Sequence, residues 1–203
     1  MLQYQTIYPA TLTLLKELQS LEFLAKCRLV GGTALALQLG HRRSVDLDLF
    51  GIIPEIPGEM IDILRETHSV STIKESKNIH IYLIDGIKVD IVNFKYDWID
   101  DMVAEGGLKL AGVKDIAAMK VAAIIGRGTK KDFIDMYYLL EHFSLKEILD
   151  SYLEKYPDGS LFLALKSLSY FTDAESDPMP FMFDSITWQS VKQSICNAVA
   201  NLG

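Results

Sequence analysis

Two short stretches hold the residues best suited to chemistry: Gly31-Gly32-Thr33 and, after residues 34 to 45, Asp46-Leu47-Asp48. The aspartates sit in Val45-Asp46-Leu47-Asp48-Leu49-Phe50, whose alternation of apolar and acidic residues predicts a strand. Residues two apart on a strand share a face with Cα atoms about 7 Å apart, so both carboxylates can reach one hard cation, or a pair about 4 Å apart. Upstream, Ala34-Leu35-Ala36-Leu37-Gln38-Leu39 is a run of strong helix formers closed by Gly40. Glycines before a helix let backbone approach a triphosphate, and the helix N-terminus supplies free N–H donors; Thr33 adds a hydroxyl. A phosphate cradle beside an Asp-x-Asp strand is what metal-assisted phosphoryl or nucleotidyl transfer requires. Each motif alone has an ordinary reading, a tight turn or a solvated sheet face. Two aspartates, however, are poor strand formers that repel without a cation, so their pairing with the glycine turn favours a functional site.

The surrounding pattern supplies the elements that must position these groups. Residues 9 to 27 carry Leu12, Leu15, Leu18 and Leu24 at helical spacing with Pro9 suited to a first turn, and read as an amphipathic helix. Leu29 and Val30 form a short strand before the glycines, and residues 58 to 67 a second helix after a loop marked by Pro54 and Pro57. Residues 79 to 94 read as a hairpin about Asp85-Gly86. A two-residue loop would set Leu83 opposite Lys88 and Ile81 opposite Asp90. A three-residue loop, Ile84-Asp85-Gly86, instead pairs Ile79, Ile81 and Leu83 with Ile91, Val89 and Ile87, and is the expected register, leaving His80, Tyr82, Lys88 and Asp90 on the other face. Helices are expected at 114 to 126, 130 to 142, 145 to 155, 160 to 171 and 185 to 201, with Ser144 and Glu147 as a capping box. The pattern thus divides into a sheet-bearing unit, residues 1 to 105, and a helical unit, residues 106 to 203.

Composition narrows the classes. With 27 acidic residues against 20 Lys and Arg, the formal charge of the 203-residue chain is −7, which excludes a basic coat for naked nucleic acid. Two distant cysteines, Cys27 and Cys196, make neither a disulfide framework nor a zinc site, pointing to a reducing cytoplasm. No export signal and no membrane span is expected. The notable cationic clusters are His41-Arg42-Arg43 and Arg127 with Lys130 and Lys131; either could funnel anions or be a solvated loop.

Leu29 to Leu37 together with His41 to Phe50 resembles the first motif of the AbiEii/AbiGii nucleotidyltransferase toxins, a branch of the polymerase-beta-like nucleotidyltransferases. Asp115 to Lys120, Arg127 and Lys131 to Tyr137 resemble a second motif. Ser169 to Glu175, Pro178-Met179-Pro180, Trp188 and Val191-Lys192 look like the C-terminal part of short members. The resemblance implies an α+β fold, a mixed sheet with flanking helices plus a C-terminal helical half. It implies that Asp46 and Asp48 hold Mg²⁺ or Mn²⁺, and that Gly31, Gly32 and Thr33 line the triphosphate of an NTP. Asp90 would be a third metal ligand or the base, Lys120 would meet phosphate or an acidic partner, and Asp132 would fix Lys120 or Arg127, all three near the nucleotide.

The implied activity is transfer of a nucleoside monophosphate from an NTP to an acceptor such as tRNA or another RNA. The implied setting is the toxin of a toxin–antitoxin or abortive-infection pair, with an antitoxin as partner. Two alternatives stand beside it: a catalytically silent nucleotide- or partner-binding protein of the same fold, and an antibiotic-type nucleotidyltransferase acting on small molecules.

Overall fold

The computed structural model describes residues 1–53 and 58–202. Seven strands form one mixed sheet: β1 (Arg28–Val30), β2 (Leu47–Gly51), β3 (Val70–Glu75), β4 (Ile79–Ile84), β5 (Ile87–Asn93), β6 (Val103–Glu105) and β7 (Leu108–Leu110), in the order β3-β4-β5-β2-β1-β7-β6. Eight helices accompany it among the described residues: α1 (Pro9–Ser20), α2 (Gly31–Leu39), α3 (Gly58–Thr67), α4 (Val113–Gly126), α5 (Lys130–Leu139), α6 (Leu145–Lys155), α7 (Leu161–Leu168) and α8 (Trp188–Ala200). The architecture is α+β, as the sequence led us to expect. The expected loop at Pro54 and Pro57 lies outside the described residues.

Alternation along β2 and β5 sorts the side chains. Leu47, Leu49, Val89 and Ile91 are fully buried in the core, which leaves Asp48, Phe50, Lys88 and Asp90 on the opposite face. β2 runs antiparallel to β1 and parallel to β5, with Val30 opposite Asp48 and Asp48 opposite Asp90. One row across three strands therefore ends β1 at the glycine turn and sets two carboxylates side by side. Beyond β7, α4 packs against α2, α5, α6 and α7, so the helical half is joined to the sheet through the helix that follows Gly31.

Several expectations need correction. The β4–β5 hairpin adopts the two-residue loop, not the three-residue one: Ile84 pairs with Ile87, Tyr82 with Val89 and Ile81 with Asp90. Asp85 and Gly86 have φ of 49° and 80°, the pair of left-handed residues that a type I′ turn demands and that matches strand twist. Tyr82 and Ile84 then fill the core, the Tyr82 hydroxyl donating to Glu75 Oε1 at 2.8 Å, while Leu83 and Ile79 are left partly exposed. Charge beside Leu83 and Ile81 is tolerated because Lys88 and Asp90 neutralise one another. α1 stops at Ser20, with Leu21 extended and residues Glu22–Leu24 forming a 3-10 turn, so the helix is shorter than the leucine spacing implied. The glycines are not a loop before α2 but its first turn. Strands β3, β6 and β7 were not foreseen; Gly106-Gly107 is the turn of the β6–β7 hairpin, and the sheet runs on past residue 105 to Leu110, which pairs with Leu29. The Ser144–Glu147 capping box forms, and both cysteines are free.

The loop between β5 and β6 is fastened by a wholly buried ion pair. Lys155 Nζ lies 2.5 Å from Asp115 Oδ1 and donates to the Asp97 carbonyl at 2.8 Å, while Asp115 accepts from the backbone N–H groups of Ile99 and Asp100. Removing one partner strands the other charge in the core. Lys155→Met should therefore cost about 3–5 kcal/mol in urea unfolding, and Asp115→Asn in that background should add less than it does alone. Additive losses would show that the pair is not coupled.

Candidate active site

The turn from β1 into α2 is built around close approach. Gly31 has φ +69°, and a Cβ there would lie 2.2 Å from Asp48 Oδ2; a Cβ on Gly32 would lie 2.2 Å from Arg42 Nη2. Neither position can take a side chain without pushing a functional group away. Thr33 behaves differently from expectation. It is buried, its hydroxyl donating to the Asp46 carbonyl and lying 2.8 Å from Ser44 Oγ. Its work is to hold the segment bearing Asp46, and it does not line the cleft.

The cleft has two lobes whose walls share Asp48, Lys120 and Arg127. One, of about 360 Å³, is lined by Gly32, Asp46, Arg42 and Lys131 as well as the shared residues. The other, of about 390 Å³, is the more apolar of the two, walled by Gly31, Phe50, Met119, Ala123 and Tyr156, with Asp90 also in its wall. Asp46 and Asp48 thus face one lobe together, Asp90 opens on the other, and Gly32 and Gly31 are divided between them. Asp132 also lines the first lobe, but its oxygens are already taken: Lys120 Nζ at 3.0 Å, Arg127 Nε at 3.0 Å and Thr129 Oγ1 at 2.7 Å.

Behind this wall lies a buried charge network. Asp135 accepts from Arg42 Nε and Nη2 at 2.7 and 2.9 Å, lies 2.8 Å from His41 Nε2 and 2.6 Å from Lys120 Nζ. Burial works against the Asp135 carboxylate, yet Arg42 and Lys120 outweigh it and hold the group well below the ordinary carboxylate range. The same opposition, burial against Lys120 and Arg127, leaves Asp132 shifted down. Lys120 is not a solvated helix lysine: with 4% of its surface exposed, it is clamped between Asp132 and Asp135.

The expected cationic clusters are therefore split. His41 and Arg42 are buried on Asp135, Arg43 stacks over Tyr8 and Phe181, and Lys130 is buried against the carbonyls of Glu175 and Asp177. Arg42, Arg127 and Lys131 reach the first lobe, where Asp46, Asp48, Asp132 and Asp177 face them. Asp135, Ser44, Thr129, Asp177 and Lys88 carry no sequence signal that assigns them a role. Asp135 was visible only as a partner of Asp132 at helical spacing. Asp177 and Pro178 reach the lobe because the segment after them pairs with 41 to 43, Arg43 N–H donating to the Phe181 carbonyl and Phe183 N–H to that of His41.

Asp48 carries the site's electrostatic tension. Burial, and then Asp90 beside it, push its pKa up to about 6 against the opposing pull of Lys120 and Lys88. Both Asp90 oxygens are held by Lys88 Nζ, at 2.6 and 2.7 Å. Among the described residues no three His, Cys, Asp or Glu side chains converge to hold a metal by themselves. Asp46 and Asp48 nonetheless fit Mg²⁺, which commonly takes one or two carboxylates and completes its shell with water and substrate phosphate.

Residues 13–110 match the family described as nucleotidyl transferase AbiEii toxin, type IV TA system. An uncharacterized protein of Aquifex aeolicus is 36% identical over 174 residues, 81% of this chain and 82% of that protein. Among solved structures, a Helicobacter pylori protein proposed to be a nucleotidyltransferase superposes with a TM-score of 0.61 at 17% identity, covering 96% of this chain and 95% of its own. The nucleotidyltransferase toxin MenT4 of Mycobacterium tuberculosis superposes with a TM-score of 0.58 at 13% identity, covering 94% and 84%. The chain belongs to the AbiEii nucleotidyltransferase toxin family. No helix among the described residues is long and apolar enough to cross a membrane.

The raised Asp48 value has a definite sign. The folded protein holds its proton to higher pH than the unfolded chain, so this group favours folding most below the ordinary carboxylate range and progressively less as pH rises to about 6. Without a divalent cation, Asp48→Asn should raise stability at pH 7.5 by about 1–3 kcal/mol, with the gain shrinking towards pH 4. A loss of stability at pH 7.5 in thermal unfolding would contradict the assignment.

Proposed function

We propose that this protein transfers a nucleoside monophosphate from an NTP to a hydroxyl or phosphate of an acceptor, with Mg²⁺ or Mn²⁺ held by Asp46 and Asp48. The observation that carries the reading is that both carboxylates share one lobe with Gly32, Lys120 and Arg127. A divalent cation bound there neutralises charge on the triphosphate and aligns its oxygens. Lys120 and Arg127, fixed by Asp132, offer preorganised positive charge to the phosphates, and Gly32 lets backbone come close to them. An acceptor oxygen entering from the more apolar lobe forms a bond to the α-phosphorus as the bond to the β-phosphate oxygen breaks, and pyrophosphate leaves. The acceptor's proton passes to Asp90, a carboxylate in the wall of that lobe.

We further propose RNA, tRNA in particular, as acceptor, the toxin of a toxin–antitoxin or abortive-infection pair as the biological role, an antitoxin protein as regulator and the cytoplasm as the compartment. Family membership supports the toxin role. The net charge of −7 argues for contact with an RNA end at the cleft rather than over a broad surface.

Calorimetry with each NTP in the presence of Mg²⁺ should give metal-dependent binding that Asp46→Ala abolishes; no metal-dependent binding in the wild type would favour a silent module. Radiolabel from the NTP should pass to total RNA and not to small acceptors, and label in the small-acceptor pool would sink the RNA assignment. The Arg127 side chain is 66% exposed, so Arg127→Ala should leave the fold intact while weakening NTP binding about tenfold or more.

A further inference from the structure

Lys88 has no place in the chemistry above, yet it engages one of the three carboxylates completely. It lies two residues before Asp90 on β5, on the same face, and its ammonium sits within hydrogen-bond distance of both Asp90 oxygens, at 2.6 and 2.7 Å. Asp90 in turn stands opposite Asp48 on the neighbouring parallel strand. Two carboxylates at one rung repel, and a lysine donating to both oxygens of one of them relieves that repulsion without a metal. It also occupies the oxygens through which Asp90 would bind a cation. Asp46 and Asp48 face the first lobe together, whereas Asp90 lines only the second, with Asp48 in the wall between them.

We propose that Lys88 is a positioning residue that withholds Asp90 from metal, so that the nucleotide-free site takes a single divalent cation, on Asp46 and Asp48. Asp90 becomes a ligand or a base only when the Lys88 ammonium leaves it. Release is feasible because the Lys88 side chain is 41% exposed, and water can replace the carboxylate as its partner. The device limits how much cation the site can hold before substrate arrives. The inference rests on the reading of Asp46 and Asp48 as the metal seat.

The test is Mn²⁺ titration of the full chain without nucleotide, followed by electron paramagnetic resonance of free Mn²⁺ and by calorimetry. Wild type should bind one Mn²⁺. Lys88→Met should bind two, or bind the second at least about five- to tenfold more tightly than wild type. Lys88→Arg, which keeps the pair, should remain at one, and Asp90→Asn added to Lys88→Met should return the count to one. Two equal sites in wild type and Lys88→Met would overturn the gating role while leaving the metal seat standing, and so would a second site that survives Asp90→Asn. If neither protein binds Mn²⁺, the metal seat itself falls and the role of Lys88 with it.

Discussion

Asp48 and Asp90 are paired across adjacent parallel strands, half-buried, with Asp46 two residues away, and much of the molecule is organised around this concentration of negative charge. Burial raises the energy of the ionised Asp48 carboxylate, and the neighbouring Asp90 raises it again. The protein answers with cations of two kinds. Lys88 sits directly on Asp90. Lys120 is held in the wall by Asp132 and Asp135, so its charge is fixed in place before any ligand arrives. The divalent cation proposed above would supply the counter-charge for Asp46 and Asp48 together.

This requirement explains why the helical half packs where it does. α4 and α5 bring Lys120 and Asp132 to the cleft and Asp135 behind its wall. Asp135 reaches across to Arg42 and His41 on the segment between α2 and β2. The network therefore joins the two halves through charge-assisted hydrogen bonds that only this packing completes. Such a network is a poor source of net stability, because desolvation offsets attraction, but it fixes geometry strongly. The glycine turn works to the same end, since Gly31 and Gly32 keep clear the space that Asp48 and Arg42 need.

Where the information is local, the sequence is readable. Helix α6 falls where expected because its Ser144–Glu147 capping box acts within one element, and α4, whose N-cap Gly112 makes no side-chain cap, starts one residue earlier than expected. Period two places Asp48 on the face opposite Leu47 and Leu49, but β2 begins at Leu47, so Asp46 reaches the cleft from the segment before the strand and not from its face. The failures involve pairings decided elsewhere. The three-residue hairpin register fails because Lys88 and Asp90 are not isolated charges beside apolar residues but a pair with each other. Thr33 was expected at the ligand because a hydroxyl beside glycines resembles a phosphate donor, but its partner, the Asp46 carbonyl, lies thirteen residues away. The roles of Arg42 and Asp135 depend on a contact between residues 93 apart, which no local pattern announces.

The central claim is that Asp46 and Asp48 jointly bind a divalent cation that meets a triphosphate held by the Gly32, Lys120 and Arg127 wall. Anomalous diffraction from a crystal soaked with Mn²⁺ and a nonhydrolysable NTP tests it most directly. The account expects a manganese peak bridging the carboxylates of Asp46 and Asp48, with phosphate density against Gly32 and Arg127. Manganese and phosphate density anywhere else, with those two carboxylates left uncoordinated, would contradict it.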